Sequence, residues 1–172
     1  VISAYYYIDD VSVRLLDQEK GQKCDCLQED AGDAYSTLIY QKSFIVTEEM
    51  TAKEKVDDRE VYFAFGKSKL SAEGKSSLDF IAKMLEENPN KKLQILGHNN
   101  AAEDEVGAEK SVYADMDNNR IGVVMKYLME KGISESRMVP TRKGSKETQE
   151  HGEMDDDETK QAKNRRVTFV LL

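Results

Sequence analysis

The chain has no apolar run long enough to cross a bilayer: nowhere in its 172 residues is there a stretch of about 18 apolar side chains. It has no excess of positive charge. Lys and Arg total 25 against 33 Asp and Glu, a net charge of -8, which argues against a nucleic-acid partner, since that would call for a basic patch. It has two cysteines, Cys24 and Cys26, with one residue between them. A bridge over so short a span is strained, and two thiols with two distant histidines do not assemble a metal quartet. They read as a pair of loop thiols, with a redox or labile-disulfide role as the alternative. No signal peptide and no initial Met are visible, so the chain reads as a mature or trimmed fragment whose native compartment is not told by that absence. What is present suffices for a packed core. Hydrophobic residues are 39%, and the length fits one ordinary domain plus a piece of another.

The first third is β-rich and irregular. Tyr5 to Leu15 alternates from Val11 onward and carries the β-branched Ile8, Val11 and Val13, so it reads as a strand. A lone strand does not bury its own face, so its partners lie upstream or in the next segment. Residues 19 to 34 read as a loop. Tyr35 to Val46 reads as one strand or a broken pair, and Thr47 to Val56 as one or two helical turns capped by Thr47 or Thr51. We therefore expect residues 1–56 to be an N-terminal extension and residues 57–172 the main domain.

From Arg59 the pattern is regular. Glu60 to Phe65 alternates as a strand. Ser71 caps a helix to about Glu87, with Leu78, Ile81, Ala82 and Leu85 on one face, and Asn88-Pro89-Asn90 stops it. Lys92 to Gly97 is a second strand, residues 101 to 112 a polar loop, and Ala114 to Glu130 a second helix closed by Gly132. Arg137 to Arg142, Thr159 to Asn164 and Arg165 to Leu172 read as strand, short helix and strand. The order β-α-β-α-β-β predicts a two-layer α/β (α+β) sandwich.

Four motifs fall in a telling order: Phe63-x-Phe65 followed by Leu70, Gly97-His98-Asn99-Asn100, Arg120 inside a helix, and Asn164-Arg165-Arg166-Val167. Together they resemble the OmpA-like peptidoglycan-binding domains, whose pattern runs GH[TS]D, NxxLSxxRA, NRRV. The resemblance covers about residues 59 to 172. It implies helices on one face of a small mixed sheet. The run Tyr7 to Val13 also looks like the last strand of jelly-roll domains that precede such domains, which implies a larger envelope protein cut at this end.

The resemblance implies a shallow pocket for the diaminopimelate residue of the peptidoglycan stem peptide, bound without chemistry. An Asp there meets the ligand ammonium and an Arg its carboxylate, through charge-assisted bonds. Arg120 matches the Arg. Asn100 stands where the family has Asp, and Asn99 where it has Thr or Ser. Tyr113, Met116 and Asp117 replace the family's Asn, Leu and Ser. Losing the charge at position 100 predicts a cost on the order of 1–3 kcal/mol, about ten- to a hundredfold in affinity. A loop about five residues longer than usual holds candidate replacement acids. Asp104 leads, with Glu103, Glu105, Asp115 and Asp117 behind it. Arg165 and Arg166 point to opposite faces, and the resemblance implies that one closes the site. His98 reads as a turn-fixing residue rather than a catalyst. The acids 153 to 158 lack the spaced pattern and glycine of a calcium loop.

The expected function is thus non-covalent binding of the stem peptide, anchoring an outer-membrane protein to the cell wall from the periplasmic face. Neither a catalytic residue, a metal nor a cofactor is expected. The alternative is an OmpA-like structural or protein-interaction module that has lost diaminopimelate binding. Assembly as a homodimer or with another envelope protein stays open.

Overall fold

The computed structural model describes residues 37–172. The readings made for Tyr5–Leu15, the loop at 19–34 and the cysteines Cys24 and Cys26 lie outside the described residues.

Among the described residues, five α-helices and four strands follow one another as α1 (Ala52–Asp57), β1 (Glu60–Tyr62), α2 (Ala72–Glu87), β2 (Leu93–His98), α3 (Ala101–Glu109), α4 (Met116–Glu130), β3 (Met138–Gly144), α5 (Asp157–Asn164) and β4 (Arg166–Leu171). The sheet order is β1-β4-β2-β3. β4 lies antiparallel to both β1 and β2, and β2 and β3 run parallel. The parallel pair needs a crossover, and α3 and α4 supply it.

Alternation builds the core. On β2, Leu93 and Ile95 are fully buried, and on β4, Val167, Phe169 and Leu171 turn to the same interior. Against them pack Leu78, Ile81 and Leu85 of α2 and Ile121, Val124 and Leu128 of α4. These are the one-sided positions a 3.6-residue period predicts. Ser71 caps α2 by accepting the Gly74 N–H at 3.0 Å. Gly132, at φ +90°, ends α4, and the Ile133 N–H reaches back to the Leu128 carbonyl at 3.0 Å. Val56 of α1 is fully buried, and Asp57 accepts the Leu171 N–H at 2.7 Å. The packed body therefore takes in residues upstream of 57.

Three expectations are corrected. The run Tyr35 to Val46 forms no strand over its described residues, 37–46. Its β-branched content suits a half-buried pleat, but Ile45 is 79% exposed and side chains do the holding. Tyr40 packs edge-on against Tyr62, and Phe44 lies under the Arg59 guanidinium. The strand expected to Phe65 ends at Tyr62. Gly66, at φ +61°, turns the chain there, and Phe63 keeps one ladder-like bond, N–H to the Arg165 carbonyl at 2.9 Å. The polar loop expected at 101–112 is mostly helix: α3, then a 3₁₀ turn over Ser111–Tyr113. That last difference decides the site.

Candidate functional site

β2 delivers its last residues to the mouth of the sheet. Gly97 is required there by close approach. A Cβ on it would stand 2.5 Å from the Asp117 carbonyl oxygen and 2.8 Å from the Ile121 side chain. The lack of a side chain lets α4 press on β2 and carries Arg120 onto the strand end.

Beyond His98 the chain turns into α3. Asn100 is its N-cap: the Asn100 side chain accepts the Glu103 N–H at 2.8 Å, and Glu103 Oε2 accepts the Asn100 N–H at 3.4 Å. This reciprocal capping box fixes the direction of Glu103, which points inward and is 0% exposed.

There it meets Arg120, also 0% exposed, through both carboxylate oxygens. Nη2 donates to Glu103 Oε1 at 2.5 Å and Nη1 to Oε2 at 2.8 Å. The remaining donors reach main-chain carbonyls: Nε to Lys67 at 3.2 Å, Nη1 to His98 at 3.1 Å and Nη2 to Ala64 at 3.3 Å. A guanidinium has five N–H groups, and all five are accounted for. Glu103 also accepts the Gly66 N–H at 2.8 Å.

The other predicted site residues take separate duties. Asn99 is buried, its Oδ1 3.5 Å from Arg120 Nη1, and it donates to Asp104 Oδ1 at 2.9 Å, so Asp104, exposed on α3, leans on the strand end without bonding Arg120 itself. Tyr113 packs its ring against Phe65 and covers Gly66, where a Cβ would fall 2.3 Å from the ring. Met116 is buried at the start of α4. Asp117 is gripped by Arg142, whose Nε lies 3.1 Å from each carboxylate oxygen. Asp115 joins the same Arg142 and raises its pKa further, after Asp117. Arg165 is buried and donates to the Phe63 carbonyl at 3.2 Å and the Leu38 carbonyl at 2.9 Å. Burial pulls its pKa down, a shift that nearby Glu103 opposes and Arg120 reinforces. Arg166 turns the other way, toward Asn164 and the Glu147 carbonyl. Sequence reading ranked Glu103 behind Asp104. The signal for it was present as Asn100-x-x-Glu103, the spacing of a capping box.

A cleft of about 340 Å³ opens beside this arrangement. Asn99, Asn100 and Ala101 form one wall, Ser145, Thr148 and His151 a second, and α5 residues Asp157, Lys160, Gln161 and Asn164 a third. All of its lining residues but Ala101 carry polar side chains, and Lys160 is paired with Asp157 at 3.2 Å.

His98 is buried, with Nε2 3.1 Å from Thr168 Oγ1 and Nδ1 without a partner. Burial, with help from Arg166 and Lys143 and against Glu147 and Asp117, pushes its pKa down to about 4. A free His titrates at about 6.5. The unfolded chain therefore takes up a proton that the native ring refuses. The contribution is full above about pH 6.5 and is lost as pH falls toward 4. It amounts to on the order of 2–3 kcal/mol. Unfolding free energies measured at neutral pH and near pH 4 should differ by about that much more in the wild type than in His98→Gln.

Residues 62–165 match the OmpA family, and the chain belongs to it. Solved structures of the same fold include the peptidoglycan-associated lipoprotein of Burkholderia pseudomallei, at 20% identity and TM-score 0.54, covering 67% of this chain and 91% of that one. The OmpA-like domain of FopA1 from Francisella tularensis is similar at 16% identity and TM-score 0.51, over 66% of this chain and 69% of that one. The C-terminal domain of Helicobacter pylori MotB is similar at 17% identity and TM-score 0.53, over 65% and 83%. No curated protein matches the chain. OmpA-like domains are binding modules, and the mixed α+β architecture expected from the sequence is the one observed.

Proposed function

We propose that this domain holds peptidoglycan non-covalently and anchors an outer-membrane protein to the wall from the periplasmic side, with no bond made or broken. Family membership and likeness to a peptidoglycan-associated lipoprotein support the wall as partner. The observation that carries the reading is the polar cleft at the end of β2, with Asn99 and Asn100 in its wall. A stem peptide lying there meets amide and hydroxyl groups that match its own peptide units. Reversible attachment needs no more than such contacts, repeated along a polymeric ligand.

The buried Glu103–Arg120 pair favours a second reading. On that reading the domain is a structural or protein-interaction module that no longer takes diaminopimelate. Cosedimentation with purified sacculi separates the two. On the first reading the wild type pellets with the wall. Gln161→Trp, an exposed α5 position on the cleft, then weakens retention about tenfold. A folded wild type that stays in the supernatant supports the second.

A further inference from the structure

We infer that Glu103 is a tethered occupant of the place where a ligand carboxylate would meet Arg120, and that the stem-peptide end this cleft accepts carries a carboxamide instead of a free carboxylate. The identity of the ligand rests on the peptidoglycan reading above; the tethering does not.

The pair has the geometry of recognition turned inward. Two carboxylate oxygens fork onto two guanidinium nitrogens at 2.5 and 2.8 Å, the bidentate arrangement by which an arginine grips a carboxylic acid. The acid comes from the chain itself, three residues after Asn100, and the capping box holds it in place. No N–H of Arg120 is left over, and neither side chain is exposed.

Asn100 fits the same logic. It is 2% exposed, and its N–H and side-chain oxygen are both engaged with Glu103. An aspartate there would set a second buried acid beside Glu103 with one guanidinium between them, and like charges at such range raise the cost of both. An amide caps α3 equally well without that penalty.

The cleft's basic groups are one lysine and His151. Its one lysine, Lys160, is bonded to Asp157. Ser145, Thr148 and Gln161 offer hydroxyls and an amide, which both donate and accept, while Asn99 and Asn100 line the cleft at only 4% and 2% exposure. A carboxamide satisfies such a lining in both senses. A free carboxylate would have to shed water there and compete with Asp157 for Lys160.

Two stem tripeptides ending in meso-diaminopimelate, one with the side-chain carboxylate free and one amidated, test this by titration into wild-type protein labelled for NMR. The amidated peptide should bind about tenfold more tightly. The Arg120 Nε–H signal should stay still while the Asn99 and Asn100 amides move. Equal or tighter binding of the free acid, or movement of Arg120, overturns the inference. In Glu103→Ala the vacated space faces a bare guanidinium, so acetate, relative to chloride, should raise the melting temperature of the variant and leave that of the wild type unchanged. Acetate indifference in a folded Glu103→Ala overturns the tethering. Should that variant not fold, the Arg120 signal in the wild type decides. If neither peptide binds, the carboxamide assignment falls together with the peptidoglycan reading, and the acetate response separately decides the role of Glu103.

Discussion

Arg120→Ala should lose about 3–5 kcal/mol of folding stability, the cost of breaking a fully buried ion pair by removing one partner. The alanine leaves Glu103 charged in a site with 0% exposure, with main-chain N–H groups as its remaining donors. It also strips donors from the carbonyls of Ala64, Lys67 and His98. An arginine held out toward a ligand would behave differently, because its guanidinium would be solvated before binding. Its removal would then cost under about 1 kcal/mol, as at an ordinary surface position. Denaturant titration distinguishes the cases: the midpoint drops sharply with the slope unchanged if the pair is structural. The double variant Arg120→Met with Glu103→Leu should regain much of the loss, since apolar residues of similar volume are often no worse than a buried pair. A single-variant loss below about 1 kcal/mol would return Arg120 to ligand duty.

Much of the scaffold was legible because it obeys simple periods. The faces of α2 and α4 follow a 3.6-residue repeat, and β2 and β4 alternate, so Leu78, Ile121, Ile95 and Phe169 announce themselves as interior. α3 does not. Among its residues only Glu103 is buried, so no apolar stripe marks it and the run reads as loop. Without a helix, Glu103 and Asp104 are interchangeable acids. On a helix they lie about 100° apart, and the capping pair with Asn100 settles which one turns inward. The position of Arg120 was equally legible, yet its duty was not. A motif tells where a guanidinium stands along the chain, whereas its partner is set by the capping box that opens α3, the packing of α4 against β2 and the turn at Gly66. The missing strand at 37–46 has a related cause: β-propensity describes a surface that fits a pleat, and a strand also needs a free ladder edge in register.

Phe63→Ala should cost about 3–5 kcal/mol as well, by a different route. Phe63 is 0% exposed and belongs to the core that joins α2, α4 and the sheet. It is also the floor of the charged site. Its ring lies 5.3 Å from the Arg120 guanidinium carbon, within cation–π range, and its carbonyl accepts Arg165 Nε at 3.2 Å. Truncation opens a cavity and removes the ring face from a buried cation at once. Phe63→Leu separates the two contributions. It keeps most of the volume, so the packing loss should stay below about 1.5 kcal/mol, and any further loss measures the ring's hold on Arg120. If that hold is real, the excess should vanish when Phe63→Leu is made in the Arg120→Met, Glu103→Leu background, because contacting residues fail to add in a double-mutant cycle. Strict additivity there would mean that the ring only fills space, and that the guanidinium is held by its carboxylate and carbonyl partners alone.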